Sequence, residues 1–157
     1  MKKVVSSLSI ITTIMLVLVI DLVTKHFLFS VDYFNIIPHI ISIKRLPGGN
    51  TGMAWGLFSN KTVGLIVVSL IMVIALLIFN HFVKNKNIFY CISFGFIIGG
   101  ALGNMYDRIF LNYVRDFLYF DFLPNFPIFN FADSFLCVGA IMLAIYILFM
   151  SNKKENN

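Results

Sequence analysis

Four long apolar stretches, separated by shorter and more polar segments, dominate the pattern of this chain. They cover residues 4–29, 62–82, 88–104 and 131–150. A helix needs about 20 residues to cross the hydrocarbon core of a bilayer, so each stretch is long enough or nearly so. The pattern therefore predicts an all-α membrane protein with four transmembrane helices.

The two longest intervening segments have different patterns. Residues 30–61 alternate apolar and polar positions and then contain Pro47, Gly48 and Gly49, which predicts short strands and a turn. Residues 107–130 are rich in phenylalanine and tyrosine, a composition typical of a membrane–water interface. Because there is no internal repeat and no linker, residues 1–157 are expected to form a single integral membrane domain.

Composition agrees with the hydrophobic pattern and adds an orientation. Hydrophobic residues make up 59% of the chain and charged residues 12%, with a mean hydropathy of +0.91, which excludes a soluble domain. The net charge of +5 indicates topology and not nucleic-acid binding, because the lysines cluster at the chain ends and in one loop. The positive-inside rule then places both termini in the cytoplasm. The lysines concerned are Lys2, Lys3, Lys84, Lys86, Lys153 and Lys154.

With this orientation, the unusual polar residues all fall at the outer boundary of the bilayer. Spans one and three run outward and carry theirs near the ends, whereas span four runs inward and carries its aspartate at the start. Scattered structural residues would have no reason to share one depth. The residues are Asp21, Lys25, Asn50, Asn104, Asp107, Arg108, Asp116 and Asp133.

Asp116 and Asp133 are the candidates for catalysis. Two carboxylates held side by side share one proton, because like charges at close range cannot both ionise, and an aspartic peptidase needs this arrangement. A small ion-coupled transporter could instead use Asp21, Asp116 and Asp133 as a proton relay, and a non-catalytic assembly factor is a third possibility. A relay should distribute acids across the bilayer, so their common depth favours the enzyme.

Other polar and small residues have simpler interpretations. Asp21 and Lys25 lie four residues apart, so an ion pair that snorkels to the interface and ends the span is favoured when they are taken alone. Asp107 could pair with Arg108 or, across the bundle, with Lys25. Glycines at 95, 99 and 103 predict close helix packing. The chain has no HExxH and no Cys/His cluster, so neither a zinc site nor any other cofactor is expected.

Five short motifs carry a family resemblance. They are DLVTK at 21–25, NTGMAWG at 50–56, GGALGNMYDR at 99–108, VRDF at 114–117 and FNFAD at 129–133. In this order they resemble the motifs of the lipoprotein signal peptidases, also called signal peptidase II. Trp55 stands where phenylalanine is usual in the second motif.

The resemblance implies a structure and an activity. Family members have four transmembrane helices with a small extracytoplasmic β-cradle and loop, in the bacterial cytoplasmic membrane, with the active site near the outer leaflet. They act as aspartic endopeptidases on lipid-modified prolipoproteins, cleaving just before the diacylglyceryl-cysteine, and globomycin-type cyclic peptides inhibit them. A monomer that contacts membrane lipid is expected.

The resemblance also implies roles for single residues. Asp116 and Asp133 would be catalytic, and Asp21, Lys25 and Asp107 would support the scaffold. The residues expected to bind substrate are Asn50, Gly52, Asn104, Arg108 and Asn130.

Overall fold

Four long apolar helices form the body of the molecule in the computed structural model, which describes residues 2–52 and 61–150. Helix α4 continues as one π-helical segment, Tyr146–Met150. The predicted four-helix membrane fold is confirmed within the described residues. The helices are α1 Lys2–Leu28, α2 Thr62–Phe82, α3 Ile88–Leu111 and α4 Phe131–Ile145.

The end of α3 differs from the sequence-based expectation. The predicted span stopped at Asn104, where polar residues begin, but the helix continues to Leu111. It ends because Asn112 adopts a left-handed conformation with φ of 65° and donates its backbone N–H to the Arg108 carbonyl. The prediction was wrong because Asn104 and Asp107 are buried against other elements, so their polarity does not interrupt the helix.

Helix α3 is the centre of the bundle, and glycines allow its neighbours to approach closely. A Cβ atom at Gly95 would lie 2.6 Å from the Thr13 side chain of α1, and one at Gly99 would lie 2.7 Å from Val17. On α4, a Cβ at Gly139 would lie 2.8 Å from the Ser93 carbonyl of α3. The predicted packing role of the α3 glycines is therefore confirmed.

This packing predicts a stability difference between two glycine substitutions. Gly99→Ala should lower the free energy of unfolding by about 1–3 kcal/mol, because the added methyl overpacks against the buried and rigid Val17. Gly64→Ala on α2 is the matched control, since nothing lies within 4 Å of its added Cβ, and we expect unchanged or slightly higher stability. Thermal unfolding in one detergent would measure both, and equal effects would contradict the packing argument.

A small antiparallel sheet caps one end of the bundle, called the sheet end below. Its strands are β1 Tyr33–Ile37, β2 Ile41–Lys44 and β3 Leu118–Phe120, in the order β1-β2-β3. The predicted strands and the turn at Pro47 and Gly48 are thus confirmed, although residues 53–60 lie outside the described residues.

Part of the aromatic segment after α3 is buried inside the protein. Phe117 is fully buried and packs with Ile43 and Leu118 beneath the sheet. Phe120 contacts the rings of Phe122 and Phe126, whereas Phe122 remains exposed. The interfacial interpretation was therefore incomplete, because part of this segment forms the core between sheet and helices.

Candidate active site

Asp116 reaches the sheet end through strand pairing. Its carbonyl accepts a hydrogen bond from the Leu46 backbone N–H at 3.2 Å. Two residues before Asp116, the backbone of Val114 pairs with that of Asn50 in an isolated antiparallel β-bridge. The same pairing brings the Asn50 side chain alongside, so that its Nδ2 donates to Asp116 Oδ2 at 2.8 Å. Asp116 is only 2% exposed. Backbone pairing therefore places a carboxylate in a buried position with a fixed donor.

Asp133 is positioned by the start of α4. Asn130 is the N-cap residue, and its Oδ1 accepts from the Asp133 backbone N–H at 3.0 Å. The Asp133 Oδ2 atom accepts in return from the Asn130 backbone N–H at 3.1 Å, which completes a capping box. From α3, Asn104 Nδ2 donates to Asp133 Oδ1 at 2.7 Å. Both oxygens of this carboxylate are thus held.

Asn130 connects the two aspartates. Its Nδ2 donates to Asp116 Oδ1 at 2.6 Å and to Asn104 Oδ1 at 3.0 Å, while its backbone N–H binds Asp133. Its side-chain orientation is fixed, because its oxygen is occupied by the Asp133 backbone. The structure therefore brings Asp116 and Asp133, 17 positions apart in sequence, into contact with one buried asparagine.

The electrostatic environment of Asp116 suits a shared proton. Burial, and secondarily repulsion from the nearby Asp133 carboxylate, raises the pKa of Asp116 to about 7. Hydrogen bonds from Asn50 and Asn130 stabilise the ionised form and oppose this rise. A carboxyl with this pKa can accept and release a proton near neutral pH.

Lys25 is buried beside the aspartates and does not snorkel. Its ammonium donates to Asp21 Oδ2 at 2.7 Å and to Asn104 Oδ1 at 3.0 Å, and lies 3.6 Å from Asp107 Oδ2. Its side chain has no exposed surface. The predicted ion pair of Asp21 and Lys25 is therefore confirmed, but the expectation that it snorkels to the interface is wrong, because α3 provides acceptors that make burial of the charge possible.

Asp107 and Arg108, although adjacent, have different partners. Asp107 forms an ion pair with Arg115, at 2.7 Å from Nη2 to Oδ1, and lies near Lys25. Arg108 Nη2 donates to the Gly52 carbonyl at 3.1 Å. The possible Asp107–Arg108 pair is not formed, because the side chains point to different sides of α3, whereas the Lys25 alternative is confirmed.

Arg115 was missed by the sequence analysis. It lies eight positions after Asp107, beyond the end of α3, and no local pattern indicates that the chain turns back there. The only available signal was its place in the VRDF motif beside Asp116.

Gly52 and Arg108 border the site on the side of the second motif. The Gly52 backbone N–H donates to Asn50 Oδ1 at 2.9 Å, which fixes the orientation of the Asn50 amide. The Arg108 Nε is buried without a hydrogen-bond partner among residues 2–52 and 61–150. Residues 53–56 of this motif, including Trp55, lie outside the described residues.

The site contains carboxylates, amides and cations. Within the described part of the chain, no three His, Cys, Asp or Glu side chains are grouped so that they could hold a metal ion. The predicted convergence of polar residues at one end of the bundle is confirmed, and it includes Asp21, Lys25, Asn50, Asn104, Asp107, Arg108, Asp116 and Asp133.

Solved structures share this fold. One bacterial membrane enzyme, determined by the in meso method at 2.3 Å resolution, superposes with a TM-score of 0.80 and 33% identity, covering 94% of this chain and 92% of that one. A second, at 1.9 Å, gives 0.79 and 34%, covering 90% and 93%. Together with the four apolar helices, these neighbours indicate a multi-pass bacterial membrane protein.

Curated relatives and a family model agree with the structural neighbours. A lipoprotein signal peptidase of Staphylococcus aureus is 39% identical over 147 residues, covering 88% of each chain. One from Clostridium acetobutylicum is 41% identical over 108 residues, covering 68% of this chain and 70% of its own. The family model described as Signal peptidase (SPase) II matches residues 13–149. This chain therefore belongs to the signal peptidase II family.

Proposed function

We propose that this protein is an aspartic endopeptidase that removes signal peptides from lipid-modified prolipoproteins, with Asp116 and Asp133 as its catalytic pair. The observation that carries the proposal is the double contact of Asn130, which binds Asp116 through its side chain and Asp133 through its backbone. Family membership and the names of the relatives support prolipoproteins as substrates. The comparisons give no support to a transporter.

The chemistry follows from one proton shared by two carboxylates. The ionised carboxylate takes a proton from a water molecule, which attacks the scissile carbonyl carbon. The protonated carboxyl polarises the carbonyl oxygen, and a proton then passes to the departing amine. Each carboxylate accepts two hydrogen bonds. Because the two carboxylates repel each other, the pair titrates as a unit and neither member is assigned the resting proton.

The remaining site residues divide by their contacts. Asn104 and Asn130 donate hydrogen bonds to the two carboxylates, so any contact that they make with substrate is made while they hold those carboxylates. Asn50, Gly52 and Arg108 lie at the border of the site, and the buried Nε of Arg108, which has no hydrogen-bond partner within residues 2–52 and 61–150, is suited to bind a peptide carbonyl. We propose that cleavage occurs just before a diacylglyceryl-cysteine, that globomycin-type peptides occupy the same groups, and that the enzyme acts as a monomer in lipid.

The direct test is a reconstituted cleavage reaction. Purified protein in a membrane mimic is incubated with a diacylglyceryl-modified prolipoprotein, and mass spectrometry follows the product. We expect loss of the mass of the signal peptide, with the lipidated cysteine as the new N-terminus. An intact precursor after prolonged incubation with folded protein would contradict the proposed function.

The shared proton predicts a pH dependence. The active pair holds one proton, and burial together with repulsion between the two carboxylates favours that protonated form, raising the pKa of Asp116 to about 7. We therefore expect kcat to fall as pH rises above about 7, approaching about tenfold per pH unit. A rate that stays constant from about pH 6 to about pH 9 would contradict the shared-proton mechanism.

We also propose the orientation of the chain across the membrane. A reporter inserted in residues 84–87 or fused after Asn157 should be cytoplasmic, because the lysines there favour that side. One inserted near Asn35 should be external. External labelling of residues 84–87 would place the sheet end in the cytoplasm and contradict an active site at the outer leaflet.

A further inference from the structure

A buried group of charges lies next to the aspartate pair and outside its proposed chemistry. Lys25 has three donor positions, and three acceptors surround it: Asp21 Oδ2, Asn104 Oδ1 and Asp107 Oδ2. Asp107 in turn binds both Nε and Nη2 of Arg115, at 3.1 and 2.7 Å. The Lys25, Asp21 and Asp107 side chains are fully buried.

Two arms extend from this group to the peptide backbone on either side of the site. Asp21 Oδ1 accepts from the Ala132 backbone N–H at 3.0 Å, and Asp107 Oδ2 accepts from the Arg115 backbone N–H at 3.0 Å. Ala132 immediately precedes Asp133, and Arg115 immediately precedes Asp116. Each arm therefore fixes the residue next to one aspartate, and Lys25 joins the two arms.

The charges of this group cancel, two cations against two carboxylates. Burial of ion pairs costs desolvation energy, and apolar residues of similar volume often give equal or greater stability. What a buried ionic group provides, and apolar packing does not, is directional contact with several partners at once. These contacts join α1, α3, the segment before β3 and the start of α4.

We propose that Lys25 and Arg115 are positioning residues that set the separation of Asp116 and Asp133 through Asp21 and Asp107. This inference rests on the proposed function, because the separation matters only if the two carboxylates act together. A small increase in their separation would weaken their mutual repulsion and misalign both carboxyls with water and the peptide.

The deciding variant is Arg115→Lys, which keeps the charge but loses the two-pronged contact with Asp107. We expect kcat to fall about tenfold, with KM within about twofold, because alignment and not substrate binding is disturbed. The weaker repulsion should also move the alkaline limb of the pH profile to lower pH. Charged groups that act on the aspartates, Lys25 from α1 and Arg108 from α3, remain unchanged.

The chain offers a matched control at the same end of the bundle. Arg45 pairs with Asp32 at the same 2.7 Å distance, but this pair is exposed, so Arg45→Lys should leave kcat, KM and the pH profile unchanged. A second variant, Asp107→Glu, keeps the charge while changing the length of one arm, and should reproduce the Arg115→Lys phenotype. Folding of each variant is checked by thermal unfolding in detergent.

The outcomes separate this proposal from the proposed function. If Arg115→Lys or Asp107→Glu folds and keeps the kcat and pH profile of the parent, the positioning role is contradicted while the catalytic pair stands. If both variants fail to fold, the group is structural only and the positioning role is likewise rejected. If Asp116→Asn and Asp133→Asn remain active, the proposed function itself fails, whatever the Arg115 variant does.

Discussion

Asp116→Asn and Asp133→Asn should each reduce cleavage by about 10³-fold or more. Each change is nearly isosteric, yet it removes the only group at that position that can exchange a proton with water or the peptide. In Asp133→Asn the capping box with Asn130 should persist in part, because the new amide oxygen can still accept a hydrogen bond from the Asn130 backbone N–H. In Asp116→Asn, by contrast, the new amide would face one of two N–H donors, those of Asn50 and Asn130, so folding of that variant is verified before its activity is interpreted.

The measurement is turnover of a lipidated prolipoprotein per folded enzyme. Asp32→Asn is the matched control, because Asp32 is an exposed aspartate at the sheet end whose carboxylate pairs with Arg45. We expect this variant to turn over substrate as fast as the parent. Normal membrane insertion and a thermal transition in detergent should accompany each variant. Substantial turnover by either Asp116→Asn or Asp133→Asn would disprove the catalytic pair.

A prolipoprotein with an unmodified cysteine should be cleaved roughly 100-fold more slowly than its diacylglyceryl form. The lipid holds the scissile bond at a fixed depth, and misplacement by about 1 Å can cost about this factor. Burial of acyl chains contributes less, because a substrate already in the bilayer gains little of the usual 0.8 kcal/mol or so per CH₂. In the proposed orientation, Asp116 and its neighbours at the sheet end would lie at the outer leaflet, where such anchoring would act.

The comparison requires one precursor, with and without the lipid, in one membrane mimic. Insertion of both signal peptides is verified first, so that a difference in kcat/KM reports positioning of the bond. A precursor carrying a single acyl chain serves as an intermediate case and should be cleaved at an intermediate rate. Equal kcat/KM values for the modified and unmodified forms would mean that the peptide alone determines recognition.

The sequence by itself determined the elements that depend on local or periodic patterns. Apolar runs of sufficient length can satisfy their backbone only as helices in a bilayer, so the spans followed directly, with α2 found at its predicted bounds. The turn at Pro47 and Gly48 and the glycine packing face of α3 are also local patterns. The five motifs identified the family, and the common depth of the polar residues indicated one site.

Only the tertiary structure decided how those polar residues are paired. Asp21 binds the Ala132 backbone across 111 positions, and Lys25 binds Asn104 across 79, separations at which no sequence period operates. For the same reason Lys25 was misread, since its burial depends on acceptors from another helix. The length of α3 was underestimated because the apolar run stops at Asn104, whereas the helix continues through polar residues whose side chains are hydrogen-bonded inside the bundle. Pairing of the two aspartates belongs to this second class: strand pairing places Asp116, a helix start places Asp133, and one asparagine joins them.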